Sequence, residues 1–410
     1  MAKVAIMGHG VVGSGVAELL LHHADTISKR ANERLEVAYI LDLRSFPQLD
    51  YADRFITEFD PIEADRSVSV VVETMGGLHP AYEYVSRCLK AGKSVVTSNK
   101  ELVAAKGAEL LALAQAHGVN FLFEASVGGG IPIIHPMRQC LAANVISRIS
   151  GIMNGTTNFI LTKMIREQMS FEDALALAQQ LGYAERNPAA DIEGWDTCRK
   201  ICILASLAFG HHVYPDSVPT EGITKITLAD VEYAANGGYA IKLLGCAEQT
   251  ADGHILALTA PFLVPQCSPL AVVDDVFNAI MVTGDATGDV LFYGKGAGKL
   301  PTASAVVADV IECTKHPAGC DYPTWADRTA DQMADSRTVP YRRYLRCSAA
   351  NPEAVAGLFG EVIMLNRANA ADGETAFLTN ALTEDALQDR IARMTALGAA
   401  LLSCIRLAAW

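Results

Sequence analysis

The stretch AADIEGWDTCRKICILASLAFG, residues 189–210, sets Asp191, Glu193, Asp196 and Lys200 at the mouth of a helix that is almost wholly apolar from Ile201 onward. At about 100° per residue, Asp196 and Lys200 fall on one stripe, which Ile203 and Leu207 continue. A surface Asp–Lys pair at this spacing stabilises a helix by only a few tenths of a kcal/mol and would have polar residues below it. The residues below are apolar, and burying charge without a purpose costs several kcal/mol. The pair is therefore expected to line a pocket. A partly desolvated lysine has its pKa lowered toward neutrality. It can then take a hydroxyl proton, which the oxidation of an alcohol by hydride loss requires.

A second chemical signature stands at the N-terminus. Gly8-His9-Gly10-Val11-Val12-Gly13 is G-x-G-x-x-G, directly after the strand-like KVAIMG and opening a helical stretch. The first glycine permits a tight turn, the second lets backbone approach a pyrophosphate, and the third lets helix and strand pack closely. The helix N-terminus offers free N–H groups to the anion. Asp42 ends the next strand, where a carboxylate accepts a ribose 2′-OH and favours NAD; Arg44 can instead receive the 2′-phosphate of NADP. Both cofactors stay open. Lys100 follows the strand SVVT and precedes a helix expected from Glu101, so it lies at a strand's carboxyl end, where ligands of open α/β sheets bind. A lysine there opposes the helix dipole, which favours a functional role. MNGTTN (153–158), with Thr156, fits either a substrate carboxylate or the cap of the helix after it.

The elements that must position these residues form two patterns. LEVAYILDL (35–43), SVVVET (69–74), KSVVTS (93–98) and NFLFEAS (120–126) are apolar runs of strand length. Helical patterns ending at glycine alternate with them, which predicts a doubly wound parallel sheet of Rossmann type over 1–135. VISRISGIM, YAIKLLGCAEQ and HILALTAPFLV predict strands of a second sheet, in an α+β domain over 136–300 with helices from 171 to 210. PTASAVVADVIE (301–312) reads as a helix that returns to the first domain. A linker is placed at 314–338 and a last unit at 339–410.

Composition narrows the partners. A net charge of −13 without any basic run argues against nucleic acid. No apolar stretch approaches the roughly 18 residues of a membrane helix. The ten cysteines include no C-x-x-C, and no histidine shows metal-ligand spacing, so reduced thiols in a cytoplasmic protein without zinc or iron are expected.

GHGVVGSGV, VVETMGG, TSNKELVA, FEASVGGGIPII, GIMNGTTNFIL, GYAERNPAADIEGWDTCRK and GAGKLPTASAVVAD together resemble the homoserine dehydrogenase family, in the family's order over roughly residues 3–312. The resemblance implies NAD(P)-dependent interconversion of L-homoserine and L-aspartate 4-semialdehyde in threonine and methionine biosynthesis. Under it, Lys200 falls on the general acid/base, Asp196 on its partner carboxylate, Glu185 on the residue that holds the substrate ammonium, and Asp191 on another substrate-site acid. Lys100 falls on a lysine that contacts the nicotinamide end and joins the proton relay. The cofactor site extends to Val11, Val12 and Thr74, and to Gly296 and Gly298 of a second glycine loop, where Lys295 replaces a common proline. Glu124, Val127, Gly129 and Ile131 fall on positions that hold a monovalent cation such as sodium, through a glutamate carboxylate and main-chain carbonyls; a glycine-rich hinge is the other reading. The last seventy residues resemble an ACT regulatory domain, although Asn351-Pro352-Glu353 stands where an effector-binding turn normally carries glycine. A homodimer built on the second sheet is expected. The competing functions are another small amino-acid or semialdehyde dehydrogenase, which in its phosphorylating form needs a nucleophilic cysteine, and a non-catalytic dinucleotide sensor.

Overall fold

The first sheet holds β1 (Ala2–Met7), β2 (Leu35–Leu41), β3 (Phe55–Ile56), β4 (Val68–Glu73), β5 (Ser94–Thr97) and β6 (Phe121–Leu122). In the computed structural model, which describes residues 1–320, 325–327 and 332–408, their order is β3-β2-β1-β4-β5-β6. Residues 321–324 and 328–331 of the expected linker lie outside the described residues. Every pairing in this sheet is parallel. The order reverses between β1 and β4, which makes a crevice at the carboxyl ends of those strands. Val4, Ile6, Val70, Val72 and Val96 are buried in one core with Val16, Ala17 and Leu20 of helix Val11–His22. Ala303, Val306, Val307 and Val310 of helix Lys299–Lys315 join the same core.

The run Asn120–Ser126 reads as a strand, yet only Phe121 and Leu122 pair. The Glu124 backbone N–H donates to Asp309 Oδ2 at 2.9 Å, and Glu124–Ser126 turns into a 3-10 helix. A carboxylate 185 positions away ends the strand.

The second sheet holds β7 (Ile146–Ile152), β8 (Tyr239–Gln249), β9 (Ile255–Pro265), β10 (Phe277–Gly284), β11 (Gly288–Lys295), β12 (Arg343–Ser348), β13 (Ile363–Leu365), β14 (Glu374–Leu378) and β15 (Ala400–Leu407). Their order is β11-β10-β7-β8-β9-β15-β12-β14-β13. β8 and β9 form a long antiparallel hairpin, and β15 joins β9 in parallel through Arg406–Phe262 and Leu407–Leu263. With helices Pro352–Gly357 and Glu384–Ala396, the last four strands make a β-α-β-β-α-β unit. It shares a core with helix Gly155–Glu167: Phe159, Ile160 and Met164 cluster with Ile241, Leu263, Tyr344 and Ile405.

By compactness the chain forms two units. One is Met1–Ser147, Arg199–Ser217 and Val282–Ala330; the other is Arg148–Cys198, Val218–Met281 and Asp331–Trp410. Among the described residues no helix is long and apolar enough to cross a membrane.

Candidate active site

The glycine turn is built on close approach. Gly8 has φ +94°, a left-handed value that disfavours a side chain. A Cβ on Gly13 would sit 1.9 Å from the Gly8 carbonyl oxygen, whereas a Cβ on Gly10 would meet nothing within 4 Å. Gly13 is there for packing and Gly10 leaves open space at the helix N-terminus, the arrangement an approaching pyrophosphate needs. Val11 at the first helical position is exposed and Val12 is half-buried. The Thr74 hydroxyl lies within hydrogen-bond distance of the Met7 and Gly8 carbonyls (3.1 and 3.0 Å) and pins the turn. Asp42 Oδ2 accepts the His9 N–H at 2.8 Å, and Arg44 clasps the same carboxylate. Those bonds, Arg44's first among them, hold the Asp42 pKa well below the usual carboxylate range. Burial lowers the His9 pKa. On the second glycine loop, Gly298 has φ +127° and precedes helix Lys299–Lys315, while Gly296 presents its carbonyl to Gly129, where a Cβ would come within 2.2 Å.

Lys100 opens helix Lys100–Ala116, one residue earlier than expected, because Asn99 is the cap: its Oδ1 accepts the Leu102 N–H at 3.1 Å. Linked to that cap through Thr97 is a fully buried carboxylate that sequence reasoning missed. Glu73 Oε1 accepts the Met75 and Gly76 N–H groups, and Oε2 accepts the Thr97 hydroxyl at 2.5 Å. Thr97 Oγ1 in turn accepts the Asn99 N–H, and Asn99 Nδ2 donates to the Gly77 carbonyl. Glu73 thus ties the loop after β4 to the loop that delivers Lys100. Burial raises its pKa against the opposing effect of those bonds.

The acids of the second unit meet through an amide. Asn154 Nδ2 donates to Asp191 Oδ1 at 2.7 Å and to Asp196 Oδ2 at 2.8 Å, while its Oδ1 accepts the Thr157 N–H and so caps helix Gly155–Glu167. Asp191 lies in the short helix Ala189–Ile192, and Asp196 begins the helix Trp195–Phe209 that also carries Lys200. Asp196 and Lys200 are only 3% and 7% exposed, so the charged mouth of that helix is interior. Thr156 donates its hydroxyl to the Tyr183 carbonyl at 2.7 Å. It thereby fastens the loop carrying Glu185, whose side chain is exposed.

Glu124, Val127, Gly129 and Ile131 line one tight turn, with Val127 and Ile131 buried and Gly129 at φ +56°. The Glu124 carboxylate already receives three backbone N–H groups, from Ile133, Ile134 and His135, at 2.7–2.9 Å. Burial and the neighbouring Asp309 raise its pKa. The described residues hold no group of three or more His, Cys, Asp or Glu side chains placed for a metal ion.

Two family models match the chain: "Homoserine dehydrogenase, NAD binding domain" over residues 8–124 and "Homoserine dehydrogenase" over 132–311. The chain belongs to the homoserine dehydrogenase family. It is 41% identical to the homoserine dehydrogenase of Pseudomonas aeruginosa over 96% of this chain and 95% of that one. It is 44% identical to that of Corynebacterium glutamicum over 76% of this chain and 72% of the relative. The crystal structure of a homoserine dehydrogenase from Thiobacillus denitrificans superposes with a TM-score of 0.89 at 37% identity, covering 99% of this chain and 98% of that one. A hyperthermophilic archaeal homoserine dehydrogenase in complex with NADPH matches with a TM-score of 0.65 at 27% identity, over 76% of this chain and 97% of that one.

As a homoserine dehydrogenase the chain is an NAD(P)-dependent oxidoreductase. The acids Asp191 and Asp196 come together on Asn154, whose capping signature was visible in MNGTTN but whose second contact was not. Glu73 had a weaker signal: a carboxylate ending a strand that is apolar and buried but for the exposed Ser69.

Proposed function

We propose that this dehydrogenase oxidises L-homoserine to L-aspartate 4-semialdehyde, or runs the reverse, with Lys200 as general acid/base. The observation that carries the reading is the burial of Asp196 and Lys200 one turn apart at the start of a core helix. In the oxidative direction the Lys200 amine takes the proton of the terminal hydroxyl while the C–H hydrogen of the same carbon leaves as hydride. The nicotinamide, when bound, accepts that hydride. Asp196, oriented by Asn154, favours the ammonium form that results. Lys100 passes the proton outward. Glu185 binds the substrate's ammonium, Asp191 adds a second acid, and Thr156 positions the Glu185 loop. The glycine turn fits the dinucleotide: its open space at Gly10 lies at a helix N-terminus of twelve residues.

We further infer a monovalent cation on the main-chain carbonyls of Glu124, Val127, Gly129 and Ile131, since hard cations take oxygen ligands. The Glu124 carboxylate, engaged by three N–H groups, serves to shape that turn. The C-terminal β-α-β-β-α-β order supports an ACT-like module, and ten free cysteines support a reducing, cytoplasmic setting for an amino-acid biosynthetic homodimer. The test is reduction of NAD and of NADP, each followed by absorbance, by purified protein with L-homoserine. No reduction of either, with bound nucleotide demonstrated, would remove the assignment.

A further inference from the structure

Helix Lys100–Ala116 carries Gly107 in its interior, where glycine weakens a helix relative to alanine. Its presence answers a close approach: a Cβ there would sit 2.7 Å from Trp325 Cζ2 and 3.5 Å from His212 Cε1. Trp325 is 3% exposed and His212 1%. The indole Nε1–H donates to His212 Nδ1 at 2.8 Å, which places the ring proton on Nε2. Nε2 donates to the Ala104 carbonyl at 2.8 Å, and the Ala108 N–H donates to Nδ1 at 3.3 Å. An α-helix pairs the N–H of residue 108 with the carbonyl of residue 104. The imidazole engages both groups of that pair.

Lys100, Ala104 and Ala108 follow at four-residue spacing, so the stripe that His212 grips leads to Lys100. His212 itself comes just after helix Trp195–Phe209, which carries Lys200. Near the starts of the two helices, Arg199 Nη2 lies 3.7 Å from Glu101 Oε1. The residue before Lys200 thus meets the residue after Lys100. Trp325 is fastened in turn. The Ala326 N–H donates to the Gly210 carbonyl at 3.0 Å, the His212 N–H to the Ala326 carbonyl at 2.8 Å, and the Tyr214 hydroxyl to Asp327 Oδ1 at 2.7 Å. All these residues belong to the first compact unit.

Apolar packing is non-directional and lets neighbouring elements slide. Hydrogen bonds weaken steeply when misaligned, so they fix how a helix is rotated and advanced against its neighbour. An apolar pair of the same shape would give nearly the same stability as two buried polar partners. What His212 and Trp325 add over such a pair is alignment. We propose that they align helix Lys100–Ala116 with the chain leaving helix Trp195–Phe209, and so hold Lys100 and Lys200 at the spacing that proton transfer needs. Both act through the helices rather than on the substrate. This rests on the proton-transfer reading of the two lysines and extends it to Trp325, beyond the residues that the family models match.

Trp325→Phe keeps a ring on Gly107 and removes only the indole N–H. Backbone amides over residues 101–108 should then exchange with deuterium about fivefold faster, the equivalent of one hydrogen bond of about 1 kcal/mol. Those of helix Val11–His22 should keep the wild-type rate. kcat should fall about three- to tenfold at unchanged nucleotide KM. His212→Gln, which keeps a donor and an acceptor, should lose less kcat than His212→Leu. Trp325→Phe combined with His212→Leu removes both polar partners, so its melting temperature should lie near wild type. Its kcat should stay at least about tenfold down, because a small misplacement of a reacting group is costly. Wild-type kcat in the double variant, or unchanged exchange over 101–108 in Trp325→Phe, would overturn the proposal. Should the leucine variants not fold, faster exchange with wild-type kcat in Trp325→Phe overturns it. A wild type that binds nucleotide without oxidising homoserine counts instead against the reaction, and the exchange rates then decide the alignment alone.

Discussion

The Asn154 side-chain amide donates to Asp196 Oδ2 across 2.8 Å, between residues 42 apart in sequence. Its other N–H goes to Asp191 and its oxygen caps a helix, so the amide cannot turn without breaking contacts on three sides. Asn154 therefore fixes the positions of the two carboxylates that the proposed mechanism uses.

Asn154→Ala should therefore lower kcat about 10- to 100-fold, the equivalent of the roughly 1.5–3 kcal/mol carried by hydrogen bonds to charged groups. Asn154→Ser keeps a helix cap but cannot hold both acids. It should keep the melting temperature near wild type while kcat still falls. Steady-state kinetics beside thermal melts separate the two effects; a kcat that follows the melting temperature alone would mean that Asn154 only caps.

Lys200→Ala should cost about 10²- to 10⁴-fold in kcat, the usual contribution of general acid–base catalysis. Nucleotide affinity should change little. Retained turnover, measured with either nucleotide, would move the proton transfer to another group.

Much of this architecture is legible locally. The glycine turn, the existence of the strands β8 and β9, and the pairing of Asp196 with Lys200 on one stripe of a core helix follow from spacing and apolar pattern, because each is set by neighbours in sequence. Other features depend on partners far along the chain. β6 stops at Leu122 because of Asp309, and Asn154 gathers Asp191 from 37 residues away. Nor does the adjacency of Asp42 and Arg44 reveal that one clasps the other. A list of candidate 2′-ligands names both residues without showing that they are a single unit.

Glu73 gives a pH-dependent outcome. Its folded-state pKa is raised by burial, so the folded state holds the proton more tightly than the unfolded chain does. Stability is then unaffected below the unfolded value and is lost as pH rises through the raised one. Glu73→Gln removes that loss and should flatten the dependence of melting temperature on pH, with its benefit largest on the alkaline side. Glu73→Ala leaves the Met75 and Gly76 N–H groups and the Thr97 hydroxyl without their acceptor, at about 1–3 kcal/mol for each group that stays buried. It should lower the melting temperature at every pH. Melts between acid and alkaline pH check both, and parallel curves for wild type and Glu73→Gln would contradict the raised pKa.

Arg346 and Asp230 make the corresponding test for the C-terminal unit. Arg346 on β12 donates through Nε to Asp230 Oδ1 at 2.9 Å, and Asp230, fully buried, also completes the capping box of helix Leu228–Asn236 with Thr227. Tyr344 donates to the same carboxylate oxygen at 3.1 Å. Removing one partner of such a pair strands the other's charge, at about 3–5 kcal/mol. Arg346→Met should therefore destabilise the whole second unit, because Tyr344 shares its core with Phe159 and Ile241. Unfolding should stay a single transition, shifted to lower denaturant. A separate early transition of residues 339–408 alone would show instead that the C-terminal unit folds independently of the sheet it extends.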